Sequence, residues 1–440
     1  MKLLRERRFL PLFMTQFFGA FNDNLLKNAL IILVTYRAAM VAGLPANQMV
    51  SVAGGIFILP FFLFSATAGQ LADKLEKSIL IRWIKTFEIL IMIIATYGFL
   101  ENQFEFLLFV LFLMGLHSTF FGPLKFSILP QHLKENELVG GNALIEAGTF
   151  LAILFGTILG GVLVTVPDWG PEVVSLGLFL VALLGYGSSR WIPSAPAVAP
   201  NLVVHWNPIT PTWQILKSST KNKSVFISIL GISWFWFFGA ATLSLFPSYC
   251  KDVLHGEPGV VTLFLSCFSI GVGLGSMLCE RLSKRSLELG LVPLGAMGIS
   301  VFALDFSISG RGHHFPNSNG IAMGASSLFQ SLAGLHVLVD LVLLALFSGL
   351  FIVPLNALMQ ERSDPSERSR VVASNNILNA LTMVLSAGFV VTLLKAGLEI
   401  PSIFTVLSLL NTLVAVLMFR AVPEFWQRFL IWSRLGRGEP

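Results

Sequence analysis

The chain is 440 residues long, 55% hydrophobic and only 12% charged, with a net charge of +5 and a mean hydropathy of +0.78. So few polar side chains cannot cover a soluble surface, which excludes a soluble globular protein and indicates a polytopic membrane protein. Cys250, Cys267 and Cys279 all lie in or beside apolar runs, with neither a loop framework nor Cys/His ligand spacing, so no disulfide or zinc site is expected.

The N-terminus, MKLLRERRFLPLF, places basic residues before an apolar run as a signal peptide does. The run continues far past a signal-peptide core and has no small-residue cleavage site, so it reads as a retained first span. A bilayer core about 30 Å thick needs about 20 apolar residues per helix. Twelve stretches supply them: 9–36, 47–72, 79–100, 104–130, 138–166, 171–192, 224–250, 257–280, 287–308, 332–359, 371–395 and 399–421. They lack the alternation of a membrane barrel, and lipid-facing backbone must satisfy itself, so the expected fold is all-α with twelve transmembrane helices.

Between the sixth and seventh stretches the sequence is Pro-rich and then predicts a short helix from Thr210-Pro211, with Thr at the N-cap and Pro in the first turn. This break divides the chain into an N-terminal six-helix bundle (1–192), a cytoplasmic linker (193–223), a C-terminal six-helix bundle (224–422) and a tail (423–440). The tail sets Phe425, Trp426, Phe429 and Trp432 against Arg428 and Arg434, the pattern of an interfacial helix on the inner leaflet. Keeping Lys27 and Lys125 as intramembrane, the loops on the N-terminal side hold 23 Lys and Arg and the opposite loops 4. That bias places both termini in the cytoplasm and accounts for the net charge without a nucleic-acid partner. Trp83, Trp191 and Trp432, beside basic residues, read as interface anchors.

The halves look like copies. FFGAFNDNL (17–25) aligns with FFGAATLSL (237–245), GPLKFSILPQ (122–131) with VPLNALMQER (353–362), and VGGNALIEA (139–147) with VASNNILNA (372–380). Transporters built from repeats place their site between them. At paired positions Asp23 faces Leu243, Lys125 faces Asn356 and Glu146 faces Asn379, so one half keeps charge where the other keeps amides or hydrocarbon.

Among the ionisable residues of the first-half spans, five stand out: Asp23, Lys27, Glu88, Lys125 and Glu146. Each costs about 2.5–3.5 kcal/mol at a helix centre on insertion scales, so each should face the bundle interior and find a partner. Asp23 and Lys27, at i and i+4, read either as a self-contained ion pair or as a cavity wall in which Asp23, flanked by Asn22 and Asn24, binds a cation such as Na+ or a polar substrate group. Glu88 reads as the partner of a snorkelling Lys85 near a span end. Lys125 and Glu146, with Asn142 one turn from Glu146, read equally as a gate or as headgroup contacts. His117 reads as a satisfied core histidine, and Asp305, His336 and Asp340, near outer span ends, as solvated. GVGLG (271–275) lacks the setting of a dinucleotide loop; it and GTILGG (156–161) read as small-residue packing faces. No catalytic constellation appears, so an enzyme is not expected and no cofactor is implied.

The loop GQLADKLEKS (69–78) resembles the G-x-L-x-D motif of the major facilitator superfamily, which implies that fold. By that resemblance Gly69 allows close packing, Asp73 caps and pairs across to the end of the eleventh span, and Lys74, Lys77 and Arg82 supply the basic side. Within the superfamily, QFFGAFNDNLLKNAL (16–30) and FFGPLKFSILPQHLKENELVGGNALIEAGTFLAILFGTILGGVL (120–163) resemble the bacterial lysophospholipid transporter family. The resemblance implies movement of lysophosphatidylethanolamine-like lipids from the outer to the inner face of the inner membrane for reacylation, coupled if at all to Na+ or H+. The tail resembles the junction at which some relatives continue into an acyltransferase, an activity expected here from a fused domain or a partner. A proton-coupled exporter of drugs or other amphiphiles is the alternative, weakened by Leu159 where many such antiporters carry proline. A membrane scaffold that recruits a lipid-modifying enzyme is a third reading.

Overall fold

The computed structural model describes residues 2–37, 40–41, 44–207, 209–284, 286–312 and 323–435; the last five residues of the predicted tail helix region lie outside them. Helices α1 (Leu10–Arg37), α2 (Ala46–Lys74), α3 (Lys77–Leu100), α4 (Phe104–Ser127), a one-turn α5 (Leu129–His132), α6 (Glu135–Val164) and α7 (Gly170–Ser189) build the first half. Between α1 and α2, the two-residue strands Met40–Val41 and Leu44–Pro45 pair antiparallel. After α8 (Ile209–Ser219) follow α9 (Lys223–Ser248), α10 (Pro258–Leu282), α11 (Leu291–Gly312), a short α12 (Ala325–Leu328), α13 (Leu332–Arg362), α14 (Arg368–Lys395), α15 (Ile400–Ala421) and α16 (Glu424–Leu435).

Among the described residues eleven helices are long and apolar enough to cross a membrane. The remaining long helix, α3, exposes Leu90, Ile93, Tyr97 and Leu100 along one side, an apolar surface suited to lipid rather than water. The chain is a multi-pass membrane protein. Helix starts follow capping rules: Asn222 accepts from the Ser224 and Val225 amides ahead of α9, and Pro171, Pro258 and Pro401 sit in the first turns of α7, α10 and α15. The linker helix starts at Ile209, one residue before the predicted cap.

The helices pack into two compact units. One comprises Met1–Glu135, Leu151–Lys221 and Gln360–Ala380; the other comprises Asn136–Phe150, Asn222–Met359 and Leu381–Pro440. In the first, α1, α3, α4 and α7 enclose a core of Leu25, Leu30, Ile91, Met92, Phe99, Leu111, Met114 and Leu178. The GTILGG face lets α6 meet α1 there, since a Cβ on Gly160 would lie 2.6 Å from the Leu25 carbonyl. In the second, Tyr249 stacks on Phe306 at 4.6 Å, and Phe404 meets Phe306 edge-on at 4.9 Å. Asn411 ties three helices by accepting from Trp234 Nε1 and donating to the Ala296 carbonyl, both at 2.8 Å. Gly271 of GVGLG would place a Cβ 2.6 Å from that of Ala345, so this stretch is helix packing, as expected. In α16 Phe425 is buried and Arg428 pairs with Glu288 at 2.7 Å, while Trp426, Leu430 and Ile431 are exposed, as an interfacial helix requires.

Glu76 staples the start of α3. Its carboxylate accepts from the Ile79 amide at 2.7 Å and the Ala195 amide at 2.6 Å. Partial burial works to raise this carboxyl, but the amides of Ala195 and Ile79 and the Ser78 side chain more than offset it, so the group sits below its ordinary value. A depressed acid contributes stability above its unfolded pKa of about 4.3 and loses it as pH falls through the lower folded value. Glu76→Ala is therefore expected to cost about 0.5–1 kcal/mol at neutral pH, the low end for an exposed cap. Thermal unfolding in detergent should show that gap closing below pH 4.

Candidate functional site

A polar cluster is buried where α1, α3, α4 and α7 meet in the first unit. Lys85 lies eight residues into α3, about 12 Å along its axis. Its Nζ donates to Glu88 Oε2 at 2.7 Å, and neither side chain touches solvent. Asn22 Nδ2 donates to the other Glu88 oxygen at 2.9 Å. His117 Nε2 stands 3.4 Å from Glu88 Oε2, and the ring stacks on Phe121, over which Lys85 Nζ also sits at 5.0 Å. Room for Lys85 comes from Gly19: a Cβ there would lie 2.6 Å from Nζ.

This overturns the snorkelling reading of Lys85. The ammonium does not reach the interface; it is consumed by a carboxylate inside the bundle. His117 is in the core as expected, with Nε2 paired to the buried Glu88 carboxylate. Asp340 is only 1% exposed, so the solvated reading fails for it, while Asp305 and His336 are 42% exposed.

One residue from His117, Ser118 Oγ donates to Asp23 Oδ2 at 2.7 Å. Asp23 Oδ1 is buried and has no hydrogen-bond partner among the described residues. Lys27 makes no ion pair with Asp23 there; its Nζ stands 5.9 Å from the Phe57 ring centroid. Nor do the flanking amides converge on Asp23. Asn22 turns to Glu88, and Asn24 Nδ2 donates back to the Ala20 carbonyl at 2.8 Å. Neighbours in sequence leave a helix about 100° apart, so residues beside an acid in the chain are not beside it in space. Asn28 Nδ2 donates to the Thr157 carbonyl at 2.6 Å and ties α1 to α6.

Lys125, in the first unit, sits 4.8 Å from the Phe126 ring. Glu146, in the second, is buried and accepts from Asn356 Nδ2 at 2.9 Å, so the repeat position that replaces Lys125 supplies one of its partners. Asn142 Nδ2 donates to the Leu138 carbonyl. One turn beyond Glu146, Phe150 stacks on Trp236 at 6.3 Å and meets Phe235 and Phe268 edge-on. Phe238 is buried, whereas Phe237 and Leu243 are partly exposed.

The loop motif folds as expected. Asp73 is fully buried, accepts from Arg370 Nε at 3.0 Å and from the Ser369 amide at 3.1 Å, and a Cβ on Gly69 would lie 2.7 Å from that of Ala373. Lys77, expected on the basic side, is itself buried, while Arg82 Nη2 reaches the Ile192 carbonyl at 3.4 Å. Arg370→Ala leaves Asp73 half-satisfied in the interior and is expected to cost about 1.5–3 kcal/mol, read as a lowered unfolding temperature.

The sequence family described as the Major Facilitator Superfamily matches residues 10–315. The chain belongs to this superfamily. It is a transporter rather than an enzyme. Among curated relatives, the lysophospholipid transporter LplT of Cronobacter sakazakii is 28% identical over 406 residues, covering 91% of this chain and 92% of that one. LplT of Enterobacter sp. (strain 638) is 26% identical, covering 88% and 89%. Among solved structures, the human organic anion transporter MFSD10 superposes with a TM-score of 0.74 at 15% identity, covering 94% of this chain and 99% of that one, a likeness of fold alone.

Proposed function

We propose that the protein moves lysophospholipids, chiefly of the lysophosphatidylethanolamine type, across a bacterial inner membrane by alternating access of its two six-helix halves. The reading rests on the LplT relatives, which align along about nine-tenths of both chains. The site chemistry supports it. In the first unit, a bare, buried carboxylate oxygen on Asp23 suits an ammonium or a small cation, and Lys125 suits a phosphate. In the second unit the partly exposed Phe237, stacked on Trp234, suits a single acyl chain.

Transport runs from the outer to the inner leaflet, with both termini in the cytoplasm and reacylation by a fused or separate acyltransferase. Each charge crossing the field gains or loses about 2.3 kcal/mol per 100 mV, which allows Asp23 to couple the cycle to Na+ or H+. Fluorescent lysophosphatidylethanolamine and a panel of cationic drugs, offered to spheroplasts lacking other lysolipid transporters, separate the readings. Inward lysolipid movement is expected. Drug efflux alone would favour an exporter, and neither activity a scaffold.

A further inference from the structure

We propose that Asp305, His336 and Asp340 form a binding site for a divalent transition-metal cation of the zinc or manganese class at one end of the second unit. His336 and Asp340 are one turn apart on α13 and share a face; Asp305 comes from α11. All three donor groups lie within 4.8 Å of one another. His336 Nε2 is 3.2 Å from Asp305 Oδ2 and 3.5 Å from Asp340 Oδ2. Two carboxylates and an imidazole are donors that such ions accept, and three protein ligands leave coordination positions for water.

Charge balance leaves room for an ion, although His336 Nε2 already hydrogen-bonds Asp305. Two carboxylates this close, in apolar helices, repel each other, and a half-exposed imidazole supplies at most one positive charge. Arg311, in the last turn of α11, donates to Thr405 Oγ1 at 3.1 Å instead. A divalent cation balances both acids.

The site has a fixed wall and an open side. Ser309 Oγ donates to Asp340 Oδ2 at 3.2 Å, the kind of supporting bond that orients a metal ligand. Asp340 is buried, whereas Asp305 and His336 face outward and leave an entry path. An independent sign comes from Tyr249. Its hydroxyl is buried, has no hydrogen-bond partner among the described residues, and ends beside Gly310, the residue after Ser309. Buried hydroxyls are normally satisfied, and a water held at this end of the unit by a metal ion is a partner of the right kind.

The test uses chelator-treated full-length protein without a histidine tag, titrated in detergent with ZnCl2 and, separately, MgCl2, by calorimetry and thermal unfolding. One saturable Zn2+ site per chain is expected, with a rise in unfolding temperature and much weaker Mg2+ binding. Asp305→Asn and His336→Gln, both at partly exposed positions, should each weaken Zn2+ at least about tenfold, while His205→Gln, on the linker, should not. The metal-free unfolding temperatures of these variants establish that they fold. No saturable Zn2+ binding, undiminished binding in the Asp305 and His336 variants, or equal affinity for Mg2+ would each overturn the proposal.

Discussion

Lys85→Ala is expected to lower stability by about 3–5 kcal/mol, the largest loss of any single side-chain truncation considered. Removing one partner of a buried ion pair leaves the other charge without compensation in a low-dielectric interior. Here the orphan is Glu88, fully buried and still held by Asn22 and faced by His117. The penalty should belong to the unpaired charge rather than to the lost volume. A Lys85→Met, Glu88→Gln double variant, which removes both charges and keeps their bulk, should therefore recover most of it. Thermal unfolding of wild type, both single variants and the double variant forms a cycle that measures the coupling directly. A double variant no better than Lys85→Ala would mean that packing, not charge, dominates.

Asp23→Asn is expected to leave the fold intact and to lower lysolipid transport by about 10- to 100-fold. Asparagine can keep the hydrogen bond from Ser118, so the helix contact survives. What disappears is the charge on the carboxylate whose second oxygen has no partner. A hydrogen bond to a charged group is worth about 1.5–3 kcal/mol, which corresponds to that range of affinity. If Asp23 also carries the coupling cation, the residual transport should no longer respond to Na+ or proton gradients. A variant that keeps its full gradient dependence would remove Asp23 from coupling.

The fold was legible because span length and hydropathy dominate in a membrane: an apolar run of about 20 residues has few alternatives to a helix. The loop motif was legible for a similar reason, since Gly69 and Asp73 act through one close approach and one salt bridge. The first-unit cluster was only half legible. Lys85 and Glu88 announce themselves as a pair at i and i+3, but their depth depends on Gly19, which comes from another helix and opens the space. Ser118 gives no sequence signal, because a serine in a span more often bonds its own helix, as Thr119 does. Asn22 and Asn24 looked like ligands of Asp23 only while the chain was read as a line. Asp340 was misplaced because nearness to a loop in sequence does not measure depth when a neighbouring helix, here α11 with Ser309, covers the side chain.

If the proposed function holds, the charges at Asp23 and Glu146 serve a zwitterionic amphiphile rather than merely bracing the helices. The most direct test is inward flux of labelled lysophosphatidylethanolamine into proteoliposomes containing wild type, Asp23→Asn or Glu146→Gln, each first checked for a wild-type-like unfolding profile. The prediction is that correctly folded Asp23→Asn and Glu146→Gln proteins lose most of the flux. Folded variants carrying the lipid at the wild-type rate would contradict it.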